Sequence, residues 1–280
     1  MNTKLFATLL DSSVHLVLDW GDFLKLGRLR HTTQVIAFII SNLGFNAALK
    51  TGCIYPFFYC YGCPLAFSAC PIGTLQHFVI LAKLPLLVLG SLGAYGSIFG
   101  RAFCGWACPF GAFQDVLSIF LKRKSRLPSF TYSKFAMFLL VLFLAWITLD
   151  TFFCKFCPAG SLFAALPAPI FYPSLSLGPF FYVHIATLIM TVFAVLFVAR
   201  FWCRYLCPVA PIGIFNRISM ITVSMDATRC TGCKKCLEVC PMGLDKLTDI
   251  GFSSDCIMCG KCVDACDTDA LRIQLKKSTK

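Results

Sequence analysis

Charge is what this sequence has least of. Asp, Glu, Lys and Arg together make up 14% of its 280 residues, against about 25% in ordinary soluble domains. Acids are scarcer still: 13 Asp and Glu face 25 Lys and Arg, a formal net charge of +12. Only four His are present and no Cys-x-x-Cys-His occurs, which argues against covalently attached c-type haem. The first thirty residues lack the unbroken apolar core and small-residue cleavage site of a secretory signal, because Asp11, Asp19 and Asp22 interrupt them. Lys4 to Leu26 reads instead as an amphipathic interfacial helix.

What is abundant is apolar. The chain is 58% hydrophobic, with 29 Phe and 18 Cys. Residues 32–49, 84–100, 135–149 and 156–199 contain no Asp, Glu, Lys or Arg. Since roughly 20 apolar residues cross a bilayer, the expected fold is an α-helical membrane protein with four transmembrane helices, near 32–49, 78–103, 134–153 and 180–202. Charge divides the chain near Asn216: 15 Lys and Arg against 5 Asp and Glu before Arg217, 10 against 8 after it. Three parts follow: an N-terminal interfacial segment (1–31), a membrane domain (32–216) and a cytoplasmic domain (217–280).

Basic residues mark cytoplasmic helix ends. Lys25, Arg28 and Arg30 precede the first expected helix; Arg101, Lys122, Arg123, Lys124 and Arg126 lie between the second and third; Arg200, Arg204 and Arg217 follow the fourth. The expectation is a multi-pass protein of the cell membrane with both termini cytoplasmic. Its partner surface is then the lipid bilayer rather than nucleic acid, with the positive charge meeting anionic headgroups. Lys83 is discordant inside the second helix. The outer loops, 50–77 and 154–179, are Pro-rich and nearly uncharged, as expected of re-entrant or interfacial caps. Asn42 and Asn46 read as interhelical hydrogen-bonding groups.

The membrane part repeats itself. Arg101-Ala-Phe-Cys-Gly-Trp-Ala-Cys-Pro matches Arg200-Phe-Trp-Cys-Arg-Tyr-Leu-Cys-Pro, and Cys70-Pro-Ile-Gly-Thr-Leu matches Cys157-Pro-Ala-Gly-Ser-Leu. The four helices therefore form a tandem two-helix pseudo-repeat about an axis along the membrane normal.

The tail carries the most specific signal. Cys230-x2-Cys233-x2-Cys236-x3-Cys240-Pro241 is the bacterial ferredoxin run, and Cys256-x2-Cys259-x2-Cys262-x3-Cys266 repeats it with Asp267 in place of Pro. In two-cluster ferredoxins the fourth Cys of each run ligates the other cluster. The expectation is an α+β domain with two [4Fe–4S] clusters, one on Cys230, Cys233, Cys236 and Cys266, the other on Cys256, Cys259, Cys262 and Cys240.

Ten membrane cysteines remain. About 30 residues of helix between Cys70 and Cys104 would separate outer from inner motifs by roughly 40 Å at ~1.5 Å per residue. The pseudo-symmetry instead pairs Cys104 and Cys108 with Cys203 and Cys207, four thiolates for an additional iron–sulfur cluster. Outside, three arrangements stand open: Cys60 and Cys63 with Cys154 and Cys157; Cys53, Cys60, Cys63 and Cys70 alone; or disulfides such as Cys53 to Cys70. His77 and His184 lie at equivalent outer helix ends, with Asp150 at the end of the third helix. They are candidate proton acceptors for a quinol, and equally suited to satisfying loop backbone.

With two C-x3-C-P motifs after membrane helices and a two-cluster tail, the chain resembles the NapH/NosR-type membrane iron–sulfur proteins, or membrane polyferredoxins. The matching residues are Cys104, Cys108, Pro109, Cys203, Cys207, Pro208 and the eight tail cysteines. The resemblance implies an electron-transfer subunit of a quinol dehydrogenase complex, relaying electrons between a quinol/quinone pool and a redox partner protein. The dense outer cysteines exceed that pattern and favour an alternative, a reductase or maturation factor supplying electrons for assembly of another metalloenzyme.

Overall fold

Cys-Pro steps set where the helices begin. Proline has no N–H to lose at the first helical position and its φ suits a helix, while the residue before it is pushed into extended backbone. In the computed structural model, which describes residues 26–44, 50–120, 130–173 and 178–276, Cys70 (φ −71°, ψ 126°), Cys108 (−69°, 114°) and Cys157 (−75°, 117°) each stand extended before a helix that starts on proline. Cys207 has the same conformation (−70°, 114°) before Pro208. The expected helix from Lys4, Asn46 and the basic cluster Lys122, Arg123, Lys124 and Arg126 lie outside the described residues.

The helices in order are α1 (Leu26–Ser41), α2 (Pro71–Ile80), α3 (Leu86–Phe99), α4 (Ala102–Trp106), α5 (Pro109–Leu117), α6 (Ser133–Thr148), α7 (Pro158–Phe171) and α8 (Pro179–Phe197). The second expected span, 78–103, is not one helix. α2 stops at Ile80 and α3 resumes at Leu86. Pro85 cannot donate into a continuing helix, Ala82 adopts φ 51°, and Lys83 sits exposed in the break. The third helix ends at Thr148 rather than near 153, because Leu149 turns left-handed at φ 49°.

Among the described residues, α8 alone is long and apolar enough to cross a membrane by itself, while α3 and α6 are apolar but shorter, at 14 and 16 residues. These helices are apolar on their outer surfaces. α8 buries Leu188, Thr191 and Val195 and leaves Ile189, Met190 and Phe193 more than 60% exposed. Val35, Ile36 and Ile39 on α1 and Leu139, Phe143 and Trp146 on α6 are exposed as well.

The segment between α1 and α2 folds inward. Tyr55, Phe57, Phe58 and Tyr59 are buried, and the Tyr55 hydroxyl pins the loop by donating to Ser41 O (3.0 Å) and accepting from Phe67 and Ser68 N–H (3.2 and 3.1 Å). Phe58 lies against Phe110 and Trp202 (ring centroids 5.7 and 6.3 Å), and Phe153 against Trp202 (6.5 Å). This aromatic cluster is the centre of the helical part.

The tail is a two-stranded antiparallel sheet, β1 (Ile221–Met225) and β2 (Leu271–Leu275), with Ile221 opposite Leu275. Between the strands, short helices α9 (Lys235–Glu238) and α10 (Lys261–Asp264) each carry the third Cys of a run. The tail docks closely on the helices. A side-chain atom on Gly105 would meet Ile257 O at 2.5 Å, and one on Gly213 would meet Ser254 O at 2.1 Å; only glycine lets the backbones approach so far. Trp106 Nε1 donates to Met258 O (2.8 Å), Asn216 Nδ2 to Ser253 O and Cys256 O (both 2.7 Å), and Asp264 accepts from the first two N–H groups of α1.

Candidate metal centres

The Cys-Pro steps at Cys70, Cys108 and Cys157 place a thiol at a helix N-terminus, where free N–H groups favour negative charge. Gly111 N–H donates to Cys108 Sγ (3.3 Å) and Gly160 N–H to Cys157 Sγ (3.4 Å). A thiolate is the ligand form of cysteine, so this local fold prepares the ligand.

The inner cysteines come together across the repeat. Cys108 interacts electrostatically with Cys203 and Cys104, and Cys207 with Cys203, Cys104 and Cys108. Cys203 is carried on a π-helical turn (Trp202–Leu206), a geometry common at functional sites. All four thiols are buried. Gln114, also buried, donates from Nε2 to Cys203 Sγ (3.1 Å).

Around them is a charged frame that cysteine spacing alone does not show. Arg30, Arg101 and Arg200, counted above as cytoplasmic edge charges, are each at most 1% exposed. Arg200 holds Asp115 through Nε and Nη2 (2.9 and 2.6 Å) and Cys104 O through Nη1 (2.9 Å); Arg30 also pairs with Asp115. Arg101 donates to Cys203 O (2.7 Å) and Ser254 O (3.0 Å). Three Arg and one Asp leave about two positive charges, which offset the roughly two negative charges of an oxidised four-thiolate cubane. The signal was present in sequence: each half has an Arg three residues before its first inner Cys.

In the tail, Cys240, Cys256, Cys259 and Cys262 line one apolar cavity together with Met242, Ile257 and Met258, and Cys236 of the first run lines it too. Burial pushes the Cys256 thiol up to about 11 and raises Cys240 and Cys262 as well, so metal entry there displaces protons. Cys236 interacts with Cys233 and Cys230, and burial raises it too. For Cys266, the smaller burial is outweighed by hydrogen bonds from Thr268, Ala270 and Leu271, which lower its pKa. Asp267, at the position of the missing proline, pairs with Lys235 beside Cys236.

Of the outer cysteines, Cys60, Cys70, Cys154 and Cys157 lie within electrostatic reach of one another, and Cys63 within reach of Cys60. The Cys63 thiol meets the Tyr59 hydroxyl (3.9 Å), and Cys53 is exposed. Nor are outer and inner thiols ~40 Å apart. Cys108 Sγ reaches Phe58 O at 3.7 Å, and Phe58 is two residues, at most ~7 Å of chain, from Cys60. The helix break and the inward fold of 54–59 bring the sets together.

His77, His184 and Asp150 do not converge. His77 is exposed, Asp150 pairs with Lys155, and His184 hydrogen-bonds Ser161 Oγ through Nδ1 (3.0 Å). Of the three, only His184 borders a thiol set, next to Cys157. Asn42 accepts from the Tyr59 hydroxyl (2.7 Å), tying α1 to the folded-in loop.

Among the described residues, no three His, Cys, Asp or Glu side chains converge as for one metal ion. Four thiolates around zinc share one centre at ~2.3 Å, whereas in a cubane each binds a different iron and the set is wider. All-thiolate donor sets are the ligand chemistry of iron–sulfur clusters.

A family model described as "4Fe-4S binding domain" matches residues 68–84, 80–128, 130–167 and 180–215, and one described as "4Fe-4S dicluster domain" matches 214–279. The chain is 29% identical to the ferredoxin-type protein NapH of Escherichia coli, over 64% of this chain and 63% of that one. It belongs to the NapH-type membrane iron–sulfur proteins. This NapH-type chain is also 27% identical to the putative electron transport protein YccM of E. coli (69% of this chain, 57% of that one). An uncharacterised protein of Methanocaldococcus jannaschii matches at 25% identity over 97% of this chain and 99% of its own. No solved structure matches. The family is one of iron–sulfur electron-transfer proteins.

Proposed function

We propose that this NapH-type protein spans the cell membrane with four helical segments, both termini cytoplasmic, and relays electrons between a membrane quinol/quinone pool and a redox partner protein. Iron–sulfur clusters supply one-electron carriers. Cys230, Cys233, Cys236 and Cys266 would hold the first tail cluster, and Cys240, Cys256, Cys259 and Cys262 the second. Cys104, Cys108, Cys203 and Cys207 would hold a third at the inner end of the membrane domain.

One observation carries this reading. Cys104 of the inner set packs in a single apolar cluster with Cys259 and Cys240 of the tail set, through Ile257 and Met242. The two sites share one packed seam, so electrons need no moving carrier between them. The exposed apolar faces of α1, α6 and α8 support lipid contact, since a monomeric soluble protein rarely exposes large contiguous apolar patches. His184, bonded to Ser161 at the border of the outer thiols, is the residue best placed to take a proton from a quinol; His77 and Asp150 stand apart from it.

The test is anaerobic purification of the full chain with iron and sulfide analysis, EPR and addition of a reduced short-chain quinone analogue. Three cubanes predict about 12 iron atoms and a loss of visible cluster absorbance on quinol addition. About eight or fewer would remove the inner site, and clusters that dithionite reduces but quinol does not would remove the quinol.

A further inference from the structure

We propose that the outer thiols Cys60, Cys70, Cys154 and Cys157 form a second membrane iron–sulfur site, built on the same plan as the inner one. The inference deepens the reading of the inner thiols as a cluster site and rests on it.

The plan shows in three correspondences. First, Cys70-Pro-Ile-Gly73 repeats Cys108-Pro-Phe-Gly111, and Gly73 takes the place of Gly111 beside the thiol: a side-chain atom on Gly73 would lie 4.0 Å from Cys70 Sγ and 3.9 Å from Cys154 Sγ. Second, a glutamine follows six residues after each of these cysteines. Gln114 Nε2 donates to Cys203 Sγ at 3.1 Å, and Gln76 Nε2 donates to Cys154 Sγ at 3.6 Å. Both glutamines are fully buried, and both reach from the first half of the repeat to the leading cysteine of the second. Burying an amide inside an apolar core is costly unless it is hydrogen-bonded, and Gln76 Oε1 has no partner. Each amide also donates to a carbonyl four residues back in its own helix (Gln76 to Ile72 O and Gln114 to Phe110 O, both 3.4 Å), and the thiol is the acceptor each Nε2 reaches across the repeat. Third, each set ends on a Cys-Pro step of the second half, Cys157 outside and Cys207 inside, next to a π-helical turn (Ser161–Ala165 and Trp202–Leu206).

Two observations set this arrangement apart from the others that spacing left open: Cys63 Sγ meets the Tyr59 hydroxyl (3.9 Å) while Cys70 and Cys154 share the Gly73 contact, and the Cys53 carbonyl is tied to Ala69 N–H (2.9 Å). With Phe58 O against Cys108 Sγ, the second site extends the series of centres from the tail through the inner thiols toward the opposite face.

Metal analysis of the anaerobically purified full chain decides it. Four cubanes predict about 16 iron and 16 acid-labile sulfide atoms per chain. About 12 would overturn the outer site while leaving the inner one standing, and about eight or fewer would overturn both. Cys70→Ser should lose about four irons and Cys63→Ser none; the reverse would overturn the ligand assignment. Gln76→Leu, which removes no ligand, should keep all the iron and shift the midpoint potential of one EPR signal to more negative values, because a donor to sulfur stabilises the reduced cluster more than the oxidised one. Gln114→Leu should shift a different signal. Unmoved potentials with full iron in both variants would refute the shared plan, even if Cys70→Ser does not fold.

Discussion

Replacing Arg200 by glutamine tests whether the buried cations set the redox properties of the inner site or merely hold the helices. Arg200 is fully buried, holds both oxygens of Asp115 and contacts the carbonyl of Cys104. Glutamine can still donate to that carbonyl, so the main change is one unit of positive charge. At an effective dielectric of ~20, a charge roughly 8 Å from a cluster centre is worth about 2 kcal/mol. For a one-electron couple that corresponds to roughly 90 mV, in the direction of a lower potential. Breaking a buried pair by removing one partner costs about 3–5 kcal/mol; Arg30 remains on Asp115, which places the stability loss at the low end. The assay is an EPR-monitored redox titration of the purified variant, with iron content measured in parallel. Arg200→Gln/Asp115→Asn restores the local net charge and should recover most of the potential while leaving the packing changed. A single variant that keeps its iron and its midpoint potential would refute the electrostatic role, and a double variant as shifted as the single one would attribute the effect to packing.

Other outcomes follow from the docking of the tail. Gly213→Ala puts a methyl 2.1 Å from Ser254 O and should loosen the tail, read as faster proteolysis near residue 217 with the tail clusters' EPR retained. Lys134→Met leaves Asp255 buried without its cation and should cost about 3–5 kcal/mol in thermal or denaturant unfolding, with Lys134→Met/Asp255→Leu recovering part of it. Lys235→Ala breaks a pair whose partners are more than half exposed and should change stability by no more than about 1 kcal/mol. A larger loss would mean that Asp267 supports cluster one directly.

The tail spacing anticipates which cysteines gather: Cys240 lines a cavity with Cys256, Cys259 and Cys262, together with Cys236 of its own run. The repeat anticipates the approach of Cys104, Cys108, Cys203 and Cys207. Spacing could not rank the outer arrangements, because it does not show that Cys63 meets Tyr59 or that Gly73 sits beside both Cys70 and Cys154. Helix boundaries failed where one residue overrides hydropathy, at Pro85 and at Leu149. Arg101 and Arg200 were misread for a different reason. The positive-inside pattern counts charges without knowing their burial, and these two face inward to the backbone carbonyls of Cys203 and Cys104 and to a carboxylate.

The glycine-mediated seam between the helices and the tail also bears on traffic. Because Gly105, Gly213 and Asn216 lock the second tail site against the inner thiols, the tail has no freedom to ferry charge by swinging. In the proposed relay the series is then fixed in place, and the first run, where Cys233 is exposed and Lys234 and Lys235 flank the loop, is its tail-side terminal. An acidic partner docking there predicts turnover that falls with rising ionic strength.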